Sequence, residues 1–305
     1  MSKKYAFLDR DGTLIFEPKD TFQIDSIERL EILPGVIDGL KTLIKEGFSL
    51  IMVSNQNGLG TNSFSIEDFD KPQNKMLDVF KNEGIEFKKI FICPHNEDDF
   101  CYCRKPKTGL VDEFMKITNI DMQNSFVSGD RETDRQFAKN LNLKFVEPKT
   151  IFGRNSFVAR KTKETDIKAG LNLDGKGQYK ISTGIGFLDH MLELFSKHSL
   201  IDINITANGD LKTDEHHTVE DIGIVLGQAL KEALGGKMGI KRYGFLLPMD
   251  ESLAEVAIDL GGRPYLVWTV SFKREKIGDM PTELFEDFFK AISDNLQANI
   301  HINLK

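Results

Sequence analysis

An α/β domain on a doubly wound parallel sheet, followed by an α+β domain of duplicated helix-on-sheet halves with the second half incomplete, is what this sequence predicts. Three observations lead there. Apolar runs alternate with helical spacing through about Pro148. From about Arg160 apolar and polar residues alternate instead, as in strands with one exposed face. Within that second region, a helix-strand segment repeats another.

The stretch YAFLDRDGTLI (Tyr5 to Ile15) opens the chain with a short run that is apolar on both faces and a turn signal straight after it. Such strands belong to parallel sheets covered on both sides, where loops at the carboxyl ends of the strands hold the ligand. Asp9 and Asp11 therefore sit at a ligand crevice, facing the same way because side chains alternate along an extended backbone. Phe48–Gln56, Lys88–His95 and Asn124–Asp130 read as further strands. Gly35–Gly47 and Gly109–Asn119 have helical spacing. A linker is expected near Glu147–Asn155, between domains at 1–150 and 156–305.

In the second region, Thr165–Gly175 and Leu200–Asp210 read as half-exposed strands, with amphipathic helices after each. The segment Asp189–Ile205 aligns without a gap on Glu286–Ile302. Leu192, Phe195, Ile203 and Ile205 fall on Phe289, Ile292, Ile300 and Ile302, the pattern of a duplicated unit.

Composition narrows the function. A net charge of −7 argues against a general nucleic-acid binder, which needs a basic face. No apolar run approaches 18 residues and MSKKYAF contains no signal-peptide core, so a cytoplasmic protein without a membrane partner is expected. All three cysteines lie within eleven residues, which does not suit a disulfide framework.

Three further pieces join the two aspartates, each at or just after a strand end: Ser54 in VSNQ, Lys105 in CRKPKTG and Asp130 in VSGDRETD. Together they supply what phosphoryl transfer through a carboxylate needs. Asp9 attacks phosphorus, and Asp11 protonates the leaving oxygen and then activates water. Lys105 and the Ser54 hydroxyl stabilise the phosphoryl oxygens. Attack of an anion on an anion calls for Mg2+, held by Asp9, Asp130 and the Asp11 carbonyl. This set resembles the haloacid dehalogenase superfamily of phosphatases over roughly the first 150 residues. The resemblance implies a Rossmann-like domain and the same roles. Asp134, in the same stretch as Asp130, is read as a supporting residue.

Cys93, His95, Cys101 and Cys103 form a C-x-H-x5-C-x-C set that suits a closed tetrahedral Zn2+ site of structural type. Zinc there pins a short polar loop that hands Lys105 to the crevice. A zinc loop followed by CRKP resembles a subgroup that includes histidinol-phosphate phosphatase and heptose bisphosphate phosphatase. Asn55 and Gln56 are candidate substrate contacts.

His190, in GFLDHML, and His216, His217 and Glu220, in DEHHTVEDIG, suit a transition metal. On a helix the last three reach a common edge, and adjacent histidines point about 100° apart, enough to feed two metals. With RKTKET and RYGFLLPMDESLAEVAIDLGGRPYL they closely resemble imidazoleglycerol-phosphate dehydratase. Fused behind the phosphatase, they resemble the bifunctional histidine-biosynthesis enzymes along nearly the whole chain.

That resemblance implies Mn2+ pairs shared between subunits of a homo-oligomer, with His190, His216, His217 and Glu220 as ligands. It also implies a substrate contact at Glu164, phosphate contacts at Arg242 and Arg263, and small phosphorylated metabolites as substrates. The repeat places a second HHxxE at roughly 311–313, beyond Lys305, and sets Asp287 where His190 has its counterpart. The expectation is a dehydratase domain lacking half its ligands. Two alternatives stand beside it: a phosphatase whose second domain is an oligomerisation scaffold, and a heptose bisphosphate phosphatase. His301 reads equally as a strand histidine or as a functional one.

Overall fold

Tyr5, Ala6, Phe7 and Leu8 are all buried because β1 (Lys4–Leu8) is the central strand of a five-stranded parallel sheet. The computed structural model describes residues 2–237, 240–241, 243–249 and 252–305. These form two compact units, the first holding residues 2–152 with 236–237 and the second residues 153–235 and the described residues from 240 onward.

The first unit continues through α1 (Val36–Lys45), β2 (Phe48–Asn55), α2 (Ile66–Asn82) and β3 (Phe87–Cys93). It then runs through α3 (Asp112–Ile117), β4 (Phe126–Ser128), α4 (Glu132–Asn140), β5 (Lys144–Phe145) and α5 (Pro148–Phe152). The strand order is β3-β2-β1-β4-β5. Alternation along β1 splits the core in two: Ala6 and Leu8 join Val36, Leu40, Met76 and Phe80 on one face. Tyr5 and Phe7 join Val111, Phe114 and Phe137 on the other. Because β2 lies on one side of β1 and β4 on the other, the order reverses at β1, and a crevice opens beyond its carboxyl end.

The expected strands are present but shorter, the 124–130 run keeping only the three residues of β4. The boundary between the units falls within the stretch expected as a linker, Glu147–Asn155, and part of that stretch is helical. Residues 148–152 form α5, and Phe152 is buried so close to α1 that a Cβ on Gly39 would come within 2.5 Å of its ring. Proline suits the start of that helix. Helix α2 was not anticipated. Pro72 lies in its interior, while Ser65 caps it by accepting a hydrogen bond from the Asp68 N–H at 3.1 Å.

The second unit is a repeat in three dimensions. Its first half contains β6 (Asn155–Lys161), β7 (Thr165–Asn172), β8 (Tyr179–Ser182), α6 (Gly186–Ser199), β9 (Asp202–Gly209) and α7 (His216–Leu234). The other half has β10 (Tyr243–Met249), β11 (Ser252–Asp259), β12 (Tyr265–Thr269), the small hairpin β13 (Lys276–Ile277) and β14 (Met280–Pro281), α8 (Leu284–Leu296) and β15 (Asn299–Leu304). The sheets are ordered β6-β7-β9-β8 and β10-β11-β15-β12, the same path twice.

The local devices repeat as well. Leu200 after α6 and Gln297 after α8 both take the left-handed conformation, at φ 62° and 56°. Buried Ser196 donates to the Ile201 carbonyl, and buried Ser293 to the Ala298 carbonyl, each at 2.7 Å. Asp279 ties the halves together by accepting from Gly186 N and Phe187 N at the start of α6.

Candidate active site

Every phosphatase residue expected from the sequence lies at the crevice beyond β1. Asp9 follows the strand directly, its N–H donating to the Ser128 carbonyl at 2.9 Å. Lys105 Nζ lies 2.8 Å from Asp9 Oδ1 and 2.5 Å from Asp134 Oδ1, and all three side chains are buried. Burial alone would lower the Lys105 pKa, but the two carboxylates outweigh it and hold the group above its ordinary value.

Asp11 is set apart from this pair. Arg10 Nη1 donates to its two oxygens at 2.9 and 3.2 Å, and Gln56 Nε2 donates to Oδ2 at 2.5 Å and to Ser54 Oγ at 2.8 Å. Burial pushes the Asp11 pKa up, Arg10 opposes that, and the Asp9 charge adds to it. A carboxyl held in this way keeps its proton at higher pH than an exposed one, as a general acid must.

Asp9, Asp130 and Asp134 bring carboxylate oxygens within 4.8 Å of one another. Burial, and then the charge of Asp9, push both Asp130 and Asp134 up to about 6. A cation relieves this setting, and an all-oxygen donor set suits a hard one. Gly12 makes the room: its φ is +71°, and a Cβ there would lie 2.4 Å from Asp130 Oδ2.

Asp134 is committed elsewhere, Oδ1 to Lys105 and Oδ2 to the Arg131 N–H at 3.2 Å. Asp9 and Asp130 are therefore the carboxylates best placed to ligate, and Asp134 fixes the lysine. The Asp11 carboxylate is not in the group. It is turned to Arg10 and Gln56, which leaves its main-chain carbonyl for the expected contact.

The four zinc-loop residues converge. Cys93 Sγ lies 3.8 Å from Cys101 Sγ, 3.4 Å from Cys103 Sγ and 3.6 Å from His95 Nδ1, and His95 Nδ1 lies 3.2 Å from Cys103 Sγ. Edges near these lengths are those of a tetrahedron with bonds of about 2.0–2.3 Å, so the donors fit zinc. Burial, the largest influence, pushes the Cys93 thiol up to about 12, a shift that a bound cation would reverse by stabilising the thiolate.

Asn55 and Gln56, the candidate substrate contacts, both have hydrogen-bond partners within the protein, and Asn55 also lines the cavity over Asp9 and Lys105. The Asn55 side chain donates to the Lys105 carbonyl at 3.2 Å and accepts from the Lys105 N–H at 3.0 Å, joining the end of β2 to the zinc loop. Gln56 is spent on Asp11 and Ser54. Both position other groups.

A cavity of 240 Å3 opens above the site, with Asp9, Asp11, Ser54, Lys105, Glu17 and Arg131 among its walls. Glu17 and Arg131 were missed in the sequence. They pair at 2.5 and 2.6 Å, yet stand 114 residues apart with no spacing to connect them. Arg10 was visible as the cation between two aspartates, and its burial is what the sequence did not reveal.

In the second unit, His216 and His217 open α7 with their rings stacked at 6.0 Å. His216 Nε2 lies 3.9 Å from Glu220 and 3.9 Å from Asp287 on α8. The position repeating His190 thus stands against the motif of the other half. His217 Nδ1 lies 3.2 Å from Asp210, a bond that raises its pKa and leaves Nε2 outward. Glu164 is near enough to add to that shift.

His190 is exposed on α6 and forms no ion pair or hydrogen bond with these groups among the described residues. The four expected ligands therefore do not close into one cluster among the described residues. Arg263 is exposed in a loop, and His301 is exposed in mid-β15 between Ala257 and Val267. Arg242 lies outside the described residues.

Comparison with known proteins bears on both units. Residues 4–152 match the family model for polynucleotide kinase 3 phosphatase, and residues 183–305 that for imidazoleglycerol-phosphate dehydratase. The histidine biosynthesis bifunctional protein HisB of Actinobacillus pleuropneumoniae is 48% identical over 99% of this chain and 89% of its own length. The chain belongs to the bifunctional histidine-biosynthesis family.

It is an enzyme with a phosphatase domain and a dehydratase domain, of families that depend on metals. Membership supports both activities and does not favour the scaffold or heptose bisphosphate alternatives. Among solved structures, imidazoleglycerol-phosphate dehydratase from Staphylococcus aureus is 42% identical, covering 49% of this chain and 83% of that one at a TM-score of 0.44. D,D-heptose 1.7-bisphosphate phosphatase from B. bronchiseptica is 27% identical, covering 47% and 78% at 0.43. No helix among the described residues is long and apolar enough to cross a membrane.

Gly12→Ala should lower stability by about 1–2 kcal/mol for the left-handed backbone, and by more for the displaced Asp130. Urea unfolding checks this, and an unchanged midpoint would contradict the geometry.

Proposed function

We propose that the first unit hydrolyses L-histidinol phosphate to L-histidinol and phosphate, and that the second dehydrates imidazoleglycerol phosphate to imidazole acetol phosphate. The observation that carries the first reading is the Lys105 ammonium bridging Asp9 and Asp134, with a buried Asp11 carboxyl beside them.

The Asp9 carboxylate attacks phosphorus while the bond to the histidinol oxygen breaks, and Asp11 gives its proton to that oxygen. Asp11, now a carboxylate, takes a proton from water as the water attacks phosphorus and the bond to Asp9 breaks. Lys105 and Ser54 hold the phosphoryl oxygens throughout, and Arg10 with Gln56 keeps the Asp11 carboxyl aimed. Mg2+ held by Asp9, Asp130 and the Asp11 carbonyl would screen the repulsion between carboxylate and phosphate. Zn2+ on Cys93, His95, Cys101 and Cys103 would fix the loop that carries Lys105.

For the second activity, His190, His216, His217 and Glu220 would hold Mn2+ between subunits of a homo-oligomer. A metal held there would act as a Lewis acid on the substrate's imidazole, easing removal of a poorly acidic C–H proton. Asp287, beside His216, would add a carboxylate to that set. Glu164, Arg242 and Arg263 would contact substrate. The domains run over 1–150 and 156–305, in a cytoplasmic enzyme of small-metabolite synthesis.

Asp9→Asn should abolish phosphate release with the circular-dichroism spectrum unchanged. Asp11→Asn should cost about a hundredfold or more with L-histidinol phosphate, and much less with p-nitrophenyl phosphate, whose leaving group needs no proton. Undiminished turnover by either variant would refute its assigned role. Incubation with imidazoleglycerol phosphate and Mn2+ should yield imidazole acetol phosphate. Phosphatase turnover without dehydration would reduce the second unit to a scaffold.

A further inference from the structure

The catalytic cavity does not end at the phosphoryl site. A second lobe of 260 Å3 shares Glu97, Arg104, Lys105 and Thr133 with it and runs along the zinc loop to Phe100 and Pro106. The reacting phosphoryl group must lie in the first lobe, against Asp9 and Lys105. A leaving group attached to it extends past the shared wall into the second.

That lobe is prepared for a ring and a cation. Phe100 is 83% exposed, an unusual place for a large aromatic side chain, and its φ of 49° is one that bulky residues rarely adopt. Its position is enforced from both sides. The Phe100 N–H donates to the Glu97 carbonyl at 3.3 Å, and Lys107 Nζ donates to the Phe100 carbonyl at 3.3 Å and the Cys101 carbonyl at 2.7 Å. Cys101 and Cys103 follow at once, so the metal loop holds the ring out toward solvent. At the seam between the lobes, the Glu97 carboxylate has no ion-pair partner among the described residues. Arg104, by contrast, is held back by Asn57 at 2.6 Å and the His95 carbonyl at 3.2 Å.

We propose that this second lobe is the leaving-group subsite, with the Phe100 ring as the platform for an imidazole and the Glu97 carboxylate as the partner of an ammonium. An imidazole stacks on an aromatic face whether neutral or protonated, and a carboxylate selects an amino alcohol over a sugar. The inference rests on the phosphatase reading and deepens it: Phe100 and Glu97 decide which phosphomonoester is preferred, while Asp9 and Asp11 decide that one is cleaved.

The test compares L-histidinol phosphate with glycerol 3-phosphate, which has neither ring nor amine. In Phe100→Ala and Phe100→Leu the ratio of kcat/KM for the two substrates should fall about two- to tenfold, and Phe100→Tyr should restore it. Glu97→Gln should lower the same ratio. As a reading independent of turnover, L-histidinol should inhibit Phe100→Leu more weakly relative to inorganic phosphate than it inhibits the unaltered enzyme. Zinc content, measured on each variant, separates a lost platform from a collapsed loop. Unchanged ratios in zinc-loaded Phe100→Leu and Glu97→Gln would overturn the subsite. If the unaltered enzyme ignores L-histidinol phosphate but cleaves glycerol 3-phosphate, the substrate reading fails instead.

Discussion

Carboxylates cannot be gathered in a crevice without positive charge to hold them, and the first unit is built around that constraint. Asp9 and Asp134 are buried within salt-bridge reach of one ammonium, Lys105, and Asp11 is buried beside Arg10. Removing one partner of a buried pair leaves an uncompensated charge, so these groups stand or fall together. The two cations arrive by different routes. Arg10 belongs to the loop after β1, whereas Lys105 is brought by a segment with little apolar core of its own. That segment is positioned by Asn55 at the end of β2, and it carries two of the four donors that converge at Cys93 and His95. A donor cluster at one edge of the sheet is thus tied to the electrostatics at its centre.

Much of this was legible in the sequence because it is local. Both-face apolarity marked β1, and Asp9 and Asp11 had to follow it. Cys93, His95, Cys101 and Cys103 lie close enough in the chain for their spacing alone to suggest zinc. What could not be read depends on distant pairings. The Glu17–Arg131 ion pair joins positions 114 residues apart. The hydrogen bonds by which Asn55 and Gln56 brace Lys105, Asp11 and Ser54 depend on where two loops meet. Nothing local to residues 148–152 showed that they form a helix, and only the buried Phe152 ring reveals it docked on α1.

The second unit was legible for a different reason. A gapless repeat constrains two halves at once, and here it extends to a buried serine and a left-handed cap in each. Duplication also explains why Asp287 stands beside His216. Helix α8, the copy of α6, sets Asp287, at the position repeating His190, beside the histidine motif that opens α7. His190 itself is exposed on α6 and lies outside that group. Both units belong to metal-dependent families, and the candidate donors differ: carboxylates, and cysteines with a histidine, in the first, histidines with carboxylates in the second.

The most direct test of the account is to trap the phosphorylated enzyme. Mixing the protein rapidly with radiolabelled L-histidinol phosphate, quenching in acid and mapping the labelled peptide should place the phosphate on Asp9, in a linkage cleaved by hydroxylamine. Label on another residue would contradict the arrangement of Asp9, Lys105 and Asp134 on which the rest depends, as would burst-free turnover with no labelled peptide.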